Sequence, residues 1–466
     1  MRELPMILNE EIMSNHRHFS RYGAAFIQYA RENPGCLQRS NYKLMQWPDK
    51  RIRFQPWPTF INKARVKEIE TAAIAICNLV KSIPRRLFDN DIEKICKYFK
   101  IPRDIVELQM EATNEAHIKD LLARGDFIFD SSGIKCIEYN VSSDLGGLEK
   151  SIWESIYLDT ESIASFVKKY DVKILNKDIL HLLLAHLFAI AQNKWPQSDE
   201  VNIAFVIESY SEKDDRETEI MYLNRVYENL LRATGQSLRG QVMICNYNRL
   251  KANDEGIFLN GKRIRVLLEI YSGIVLPEIV EHFKKGNILF YNGPITRLLS
   301  NKLNLVLLSE NQDSDIFNTN EKEAIKKYIP WTRKVAPTRA FYGNAAVELE
   351  DFIIANKDKL VLKPAEGYGG IGVSIGNRTA PSLWREKTAQ VMEQGNWLVQ
   401  EHVKPLDFYY QTGENGYAPH HVIWGGFVLG SQFAGIYVRM LTSQHPNGVI
   451  NRSSGGEEGV TFEVEE

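Results

Sequence analysis

Residues 124 to 149 read RGDFIFDSSGIKCIEYNVSSDLGGLE, an alternating strand, a Ser-Ser-Gly turn and a second strand. Successive side chains of a strand point to opposite faces, so Arg124 and Asp126 share one face, and the returning strand can bring Glu138 and Asn140 into register with them. Three oxygen-bearing side chains, Asp126, Glu138 and Asn140, on a stiff hairpin suit a hard cation such as Mg²⁺. The plainer reading of Arg124 and Asp126 is an ion pair, worth under about 1 kcal/mol if exposed.

Downstream, LVLKPAEGYGGIGVSIG (360 to 376) ends a strand in Lys363 and passes through a glycine run into another strand. GYGGIG satisfies G-x-G-x-x-G, yet a dinucleotide fingerprint needs a helix directly behind the glycines, and VSIG is strand. No G-K-[ST] ends the run, which excludes a P-loop. What remains is a strand-loop-strand flap whose backbone can approach phosphate closely, because glycine lacks Cβ. Taken alone, the loop reads first as a structural glycine hairpin, and Lys363 equally as a solvated strand end.

Lys plus Arg (57) nearly cancels Asp plus Glu (59) in 466 residues, so no overall field draws the chain to nucleic acid or an anionic membrane. Cys36, Cys77, Cys96, Cys136 and Cys245 form no C-x-x-C pair, which argues against a zinc site or a disulfide framework and for a reducing, cytoplasmic setting. MRELPMILNEEIM lacks the features of a signal peptide. The apolar helix at 179 to 191 is too short to span a bilayer, and its His181 and His186 read as core or boundary residues. Neither a nucleic-acid nor a membrane partner is expected.

Helical periodicity covers 6 to 31, 62 to 82, 88 to 99 and 104 to 123, with QPWPTF (55 to 60) extended. After the hairpin come helices at 146 to 158 and 179 to 191, strands at 202 to 208 and 241 to 247, and a helix from 215 to 234. A small hairpin at 256 to 271 turns on Asn260-Gly261. Residues 309 to 323 read as a polar surface connection. WGGFVLGSQFAGIYVRML (424 to 441) reads as an antiparallel pair, and the glutamates Glu457, Glu458, Glu463, Glu465 and Glu466 as a solvated acidic end. Trp57, Phe60, Tyr139, Tyr271 and Tyr291 are candidate pocket aromatics, though such residues are commonly core.

With hairpin, lysine and loop combined, the chain resembles the glutathionylspermidine synthetase-like, circularly permuted ATP-grasp enzymes. Arg124, Asp126, Phe127, Glu138 and Asn140 fit that family's R-x-D-F and E-x-N pattern without a gap. NGPITRLLSNKLNLVLL (292 to 308) looks like its segment of N-P, a helix, then a lysine before an apolar run. YIPWTRKV (328 to 335) resembles the approach to a first nucleotide lysine, Lys334, and Lys363 is the second. WLVQEHV (397 to 403) resembles the adenine hinge, with Gln400 and Glu401 near base and ribose. The family's middle-lobe tyrosine-arginine pair is not evident, Glu269-Ile270-Tyr271 standing near its place, and the amidase domain of bifunctional members has no counterpart.

The resemblance implies a mixed α+β and α/β fold. It would comprise a helical front section (1–120), a metal-binding hairpin of the ATP-grasp core (121–160), a preATP-grasp-like α/β lobe (161–310) and a nucleotide-binding lobe with the terminal core strands (311–466). The strands around Arg439 should then pack beside the hairpin.

The implied activity is ATP- and Mg²⁺-dependent ligation of a carboxylate to an amine through an acyl phosphate. The carboxylate would belong to an amino acid, a peptide or a carrier-bound acyl group. A thiol acceptor, a small-molecule phosphotransferase and a non-catalytic nucleotide-binding module are the alternatives, and a homodimer is open. Asp126, Glu138 and Asn140 would hold the metal. Lys334, Lys363 and the loop glycines Gly367, Gly369, Gly370 and Gly372 would hold phosphate, and Arg124 would steady the acyl phosphate. Arg439 is either a substrate or phosphate ligand or a structural arginine, and Asn451, Ser453, Ser454, Gly455 and Gly456 either neighbour the phosphates or form a loose tail.

Overall fold

The computed structural model describes residues 8–46, 52–111, 113, 115–143, 145–207, 217–235, 237–270, 276–367, 369–414 and 416–466. Tyr271 of the expected aromatic set lies outside them.

The central sheet is built around the hairpin read from sequence, strands Leu122–Asp130 and Gly133–Asn140. Asp126 stands opposite Glu138 and Arg124 opposite Asn140, with a bulge between Asp126 and Phe127. The first strand is buried nearly along its whole length, because its other edge is also covered. Gly416–Leu429 pairs with it antiparallel, and Gln432–Thr442 and Glu457–Gly459 extend the sheet outward. The chain thus closes on itself as expected, with the strand bearing Arg439 two places from the hairpin.

A long helix, Lys63–Phe88, covers the rear of this sheet. The Asn62 side chain accepts from the Arg65 amide at its start, and the helix stops at Asp89, whose φ of 54° is left-handed. It buries Ile69, Ala72, Ala73, Ile76 and Val80, and the Tyr139 hydroxyl donates to the Ala73 carbonyl at 2.7 Å. Close approach is allowed by Gly426, where a Cβ would come within 2.9 Å of Ile69 Cγ2.

A second sheet runs Thr332–Lys334, Trp397–Glu401, Leu360–Pro364 and Ser374–Ile375. Its last pairing confirms the strand-loop-strand reading of the glycine segment, since Ser374 and Ile375 return alongside Leu362 and Val361. The middle α/β sheet pairs Asn202–Ile207 in parallel with Val242–Cys245 and Lys262–Ile270. Its small hairpin turns at Asn260 and Gly261, both at positive φ (52° and 77°).

Three expectations need correction. The helical run expected to 123 ends at Asp120, because Leu122 and Ala123 already pair with Leu429 and Val428. The polar connection expected over 309–323 is shorter, since a capping box of Asn318 and Glu321 opens the helix Thr319–Tyr328. The acidic end is only partly solvated. Thr461–Val464 pairs in parallel with Thr59–Asn62, burying Val460, Phe462 and Val464, so that Glu458 and Glu463 are carried inside at 1% and 5% exposure. Trp57, Phe60, Tyr139 and Tyr291 are core residues. No described helix is long and apolar enough to cross a membrane.

Candidate active site

Between the central sheet and the glycine-loop sheet lies a cavity of about 470 Å³. It gathers most of the residues selected from sequence. Arg124, Asp126, Glu138 and Asn140 come from the hairpin, Lys363, Gln400 and Glu401 from the second sheet, Gly367, Gly369 and Gly370 from the loop, and Arg439 and Asn451 from the terminal strands.

The two arginines clamp one carboxylate. Arg124 donates from Nε to Asp126 Oδ1 at 2.8 Å and from Nη2 to Oδ2 at 3.2 Å, while Arg439 Nη2 donates to the same Oδ2 at 2.6 Å. The Tyr437 ring lies 5.3 Å from the Arg124 guanidinium and 5.8 Å from that of Arg439. Burial pushes the Asp126 carboxyl up, but the two guanidinium charges outweigh it and hold its pKa below the ordinary value. For Arg439, burial opposes the charged form, and the charge of Asp126, joined by Tyr437, Glu138 and Glu458, more than compensates, raising its pKa.

Lys363 is buried (8% exposed) and donates to the Ile137 carbonyl at 2.9 Å and to Gln400 Oε1 at 2.7 Å. The Ile137 contact brings it beside Glu138, whose charge acts on it. Burial, only partly offset by Glu138, pushes its pKa down to about 8.

Lys302, which sequence reasoning saw but assigned no role, joins the site by donating to the Gly367 carbonyl at 2.6 Å and pairing with Glu138 at 3.2 Å. The terminal segment closes against the loop, where Ser453 Oγ donates to the Gly369 carbonyl at 3.0 Å. A Cβ on Gly370, at φ 70°, would come within 2.2 Å of Asn451 Nδ2.

Of the expected residues, Lys334 and Gly372 lie outside the cavity lining, whereas Gln400 and Glu401 line it with partners already in place. Lys334 does not line this cavity: its amine donates to the Tyr98 carbonyl and lies 4.2 Å from the Tyr98 ring centre, within a separate groove beside Trp331 and Arg339. Gly372 packs near Pro364 and Trp397 at the root of the loop. Gln400 lines the cavity with its amide already engaged, accepting from Lys363 and donating to Thr332 Oγ1 at 3.1 Å. Glu401 faces the cavity with Tyr342 as its partner at 3.2 Å.

The donor set fits a divalent cation that arrives with phosphates. Asp126 is already neutralised by two arginines, so Glu138, paired only with Lys302 among the described ion pairs, and Asn140 are the side chains better able to hold a metal. Mg²⁺ needs only one or two carboxylates when phosphate oxygens and water complete its octahedron. No group of three acidic, histidine or cysteine side chains among the described residues forms a closed protein cage.

No family model matches the sequence, and no curated protein matches it. Among solved structures the chain is similar to a glutathione synthetase-like effector from Globodera pallida in its apo form. The TM-score is 0.51 at 9% sequence identity, covering 89% of this chain and 90% of that one. At that identity the similarity is one of fold: mixed α and β layers in the arrangement of a glutathione synthetase-like structure.

Proposed function

We propose that the protein is a circularly permuted ATP-grasp ligase that joins a carboxylate to an amine through an acyl phosphate. One observation carries this reading. A single cavity holds an acidic hairpin, a buried lysine, a glycine loop and two arginines, although their sequence positions run from Arg124 to Asn451. The order, hairpin first and lysine strand later, is the one this reading expects, and the fold similarity to a glutathione synthetase-like structure supports the fold class.

Lys363, freed from Gln400, meets phosphate oxygens of ATP, and the loop from Gly367 to Gly372 supplies backbone amides around them. Glu138, Asn140 and a lone pair of Asp126 would hold Mg²⁺, which when bound neutralises phosphate charge. Arg124 and Arg439 orient the substrate carboxylate. Its oxygen attacks the γ-phosphorus, an O–P bond forms, the bond to the β-phosphate oxygen breaks, and ADP leaves. The amine then attacks the carbonyl carbon, a C–N bond forms, phosphate departs with the C–O electron pair, and the amine proton passes to solvent. The arginines stabilise the oxyanion of this second step, and closure of the loop excludes water.

The test is isotopic. A substrate labelled with heavy oxygen in its carboxylate should yield labelled inorganic phosphate and ADP only when an acceptor is present. A stable phosphorylated product would instead identify a phosphotransferase.

A further inference from the structure

On the outer strands of the central sheet, Arg439 stands directly opposite Glu458. Directly opposed residues of opposite charge commonly close an ion pair. Here neither side does so, because Arg439 is drawn to Asp126 and Glu458 is bonded through Oε1 to Arg452 Nε. Each keeps one buried polar atom without a hydrogen-bond partner, Nε of Arg439 and Oε2 of Glu458. Asn451 Nδ2 is a third such atom. Glu458 and Asn451 are 1% and 4% exposed, and all three residues line the cavity already described. Buried polar atoms are normally satisfied, so three of them on residues that line one cavity mark hydrogen-bonding capacity that a bound molecule can take up. Two of them donate, and one is an oxygen of a carboxylate.

A nucleotide phosphate would satisfy the donors but would be repelled by Glu458. A simple carboxylic acid would leave Glu458 Oε2 without a partner, and a simple amine would leave Arg439 Nε and Asn451 Nδ2 without one. We infer that the carboxylate substrate is an α-amino acid held by its own zwitterionic head, the carboxylate on Arg439 Nε and Asn451 Nδ2 and the ammonium on Glu458 Oε2. The inference rests on the ligase reading and narrows it. It places the reacting carboxylate beside Asp126, where Arg439 already reaches, and it requires a free amino group on the same small unit.

The experiment uses hydroxylamine as a generic acceptor, because its nitrogen displaces phosphate from an acyl phosphate to leave a hydroxamate. The full chain is incubated with Mg²⁺, ATP and hydroxylamine, and offered the common α-amino acids, their deaminated counterparts (propionate for alanine, and so on) and short peptides. The expected result is hydroxamate from one or a few α-amino acids, with kcat/KM at least about tenfold above the deaminated counterpart. In Glu458→Gln that preference should vanish through a rise in KM for the amino acid. Equal use of deaminated acids, activity with peptides alone, or an unchanged preference in Glu458→Gln would overturn the inference while leaving the ligase reading in place. No hydroxamate from any acid would overturn the ligase reading itself, and the inference with it. The substrate series on the unaltered protein decides the matter even if Glu458→Gln fails to fold.

Discussion

Arg439 reaches across 313 residues of sequence to donate a hydrogen bond of 2.6 Å to Asp126. The contact sews the strand Gln432–Thr442 to the hairpin over the intervening strand Gly416–Leu429. It also changes what Asp126 does. With Arg124 on its other side, the carboxylate is first the counter-ion of two buried guanidinium groups, and only second a candidate metal ligand.

Asp126→Asn should therefore destabilise the fold as well as the reaction. It would leave Arg124 and Arg439, with side chains 7% and 16% exposed, without their counter-charge. Losing one member of a buried ionic group costs about 3–5 kcal/mol, which urea denaturation would measure. The wild-type protein should show the same dependence in acid. The folded pKa of Asp126 is depressed, so its contribution is present above the ordinary carboxylate value and is lost as pH falls through the lower folded value. A variant as stable as wild type would refute the counter-ion role.

Glu138→Gln separates the metal from the scaffold. Glu138 is partly exposed to the cavity and pairs only with Lys302 among the described ion pairs, so its loss should leave thermal stability nearly unchanged. Turnover dependent on Mg²⁺ should fall by about 100-fold or more. Retained turnover would remove the metal site from the hairpin.

What the sequence disclosed follows from the range of the interactions. The hairpin and the glycine flap are local patterns, a period of two around a tight turn and a lysine strand that returns on itself, and both appear in the fold with their residues in register. Lys334 lies outside the cavity because its amine is held by Tyr98, 236 residues away in the front section, and nothing near Lys334 in sequence signals that capture. Glu458 reads as solvent-exposed in the sequence because the final residues are rich in glutamate. The alternation of Val460, Phe462 and Val464 was the available sign that this segment is a buried strand. Orphaned polar atoms such as Arg439 Nε have no sequence signature, since they depend on what three-dimensional neighbours leave unpaired.

Gly370→Ala tests the contact between loop and terminal segment. At φ 70° an alanine is strained, and its Cβ would meet Asn451 Nδ2 at 2.2 Å and Val449 Cγ1 at 2.6 Å. Such strain costs of the order of 1–3 kcal/mol, equivalent to about 5- to 150-fold. Because the loop surrounds the cavity and Gly370 contributes little to the core, the loss should appear as a raised KM for ATP with the melting temperature largely kept. A normal KM would show that loop and segment separate before nucleotide enters.

Lys363 predicts the pH dependence of nucleotide binding. An ordinary lysine stays protonated to about 10.4, whereas burial lowers this one to about 8 in the free protein. Below about 8 the ammonium is ready to meet phosphate. Above it the proton must be recovered on binding, so affinity should fall as pH rises, by at most about tenfold per unit. For folding the sign is opposite: between about 8 and about 10.4 the unfolded chain holds the proton that the folded lysine has lost, so this group's penalty on stability is relieved as pH rises. The dissociation constant of a non-hydrolysable ATP analogue with Mg²⁺, measured from about pH 7 to about pH 9.5, should show the decline in wild type. Lys363→Arg keeps its charge throughout and should flatten the curve. Parallel slopes in the two proteins would mean that some other group, not Lys363, carries the proton that nucleotide binding requires.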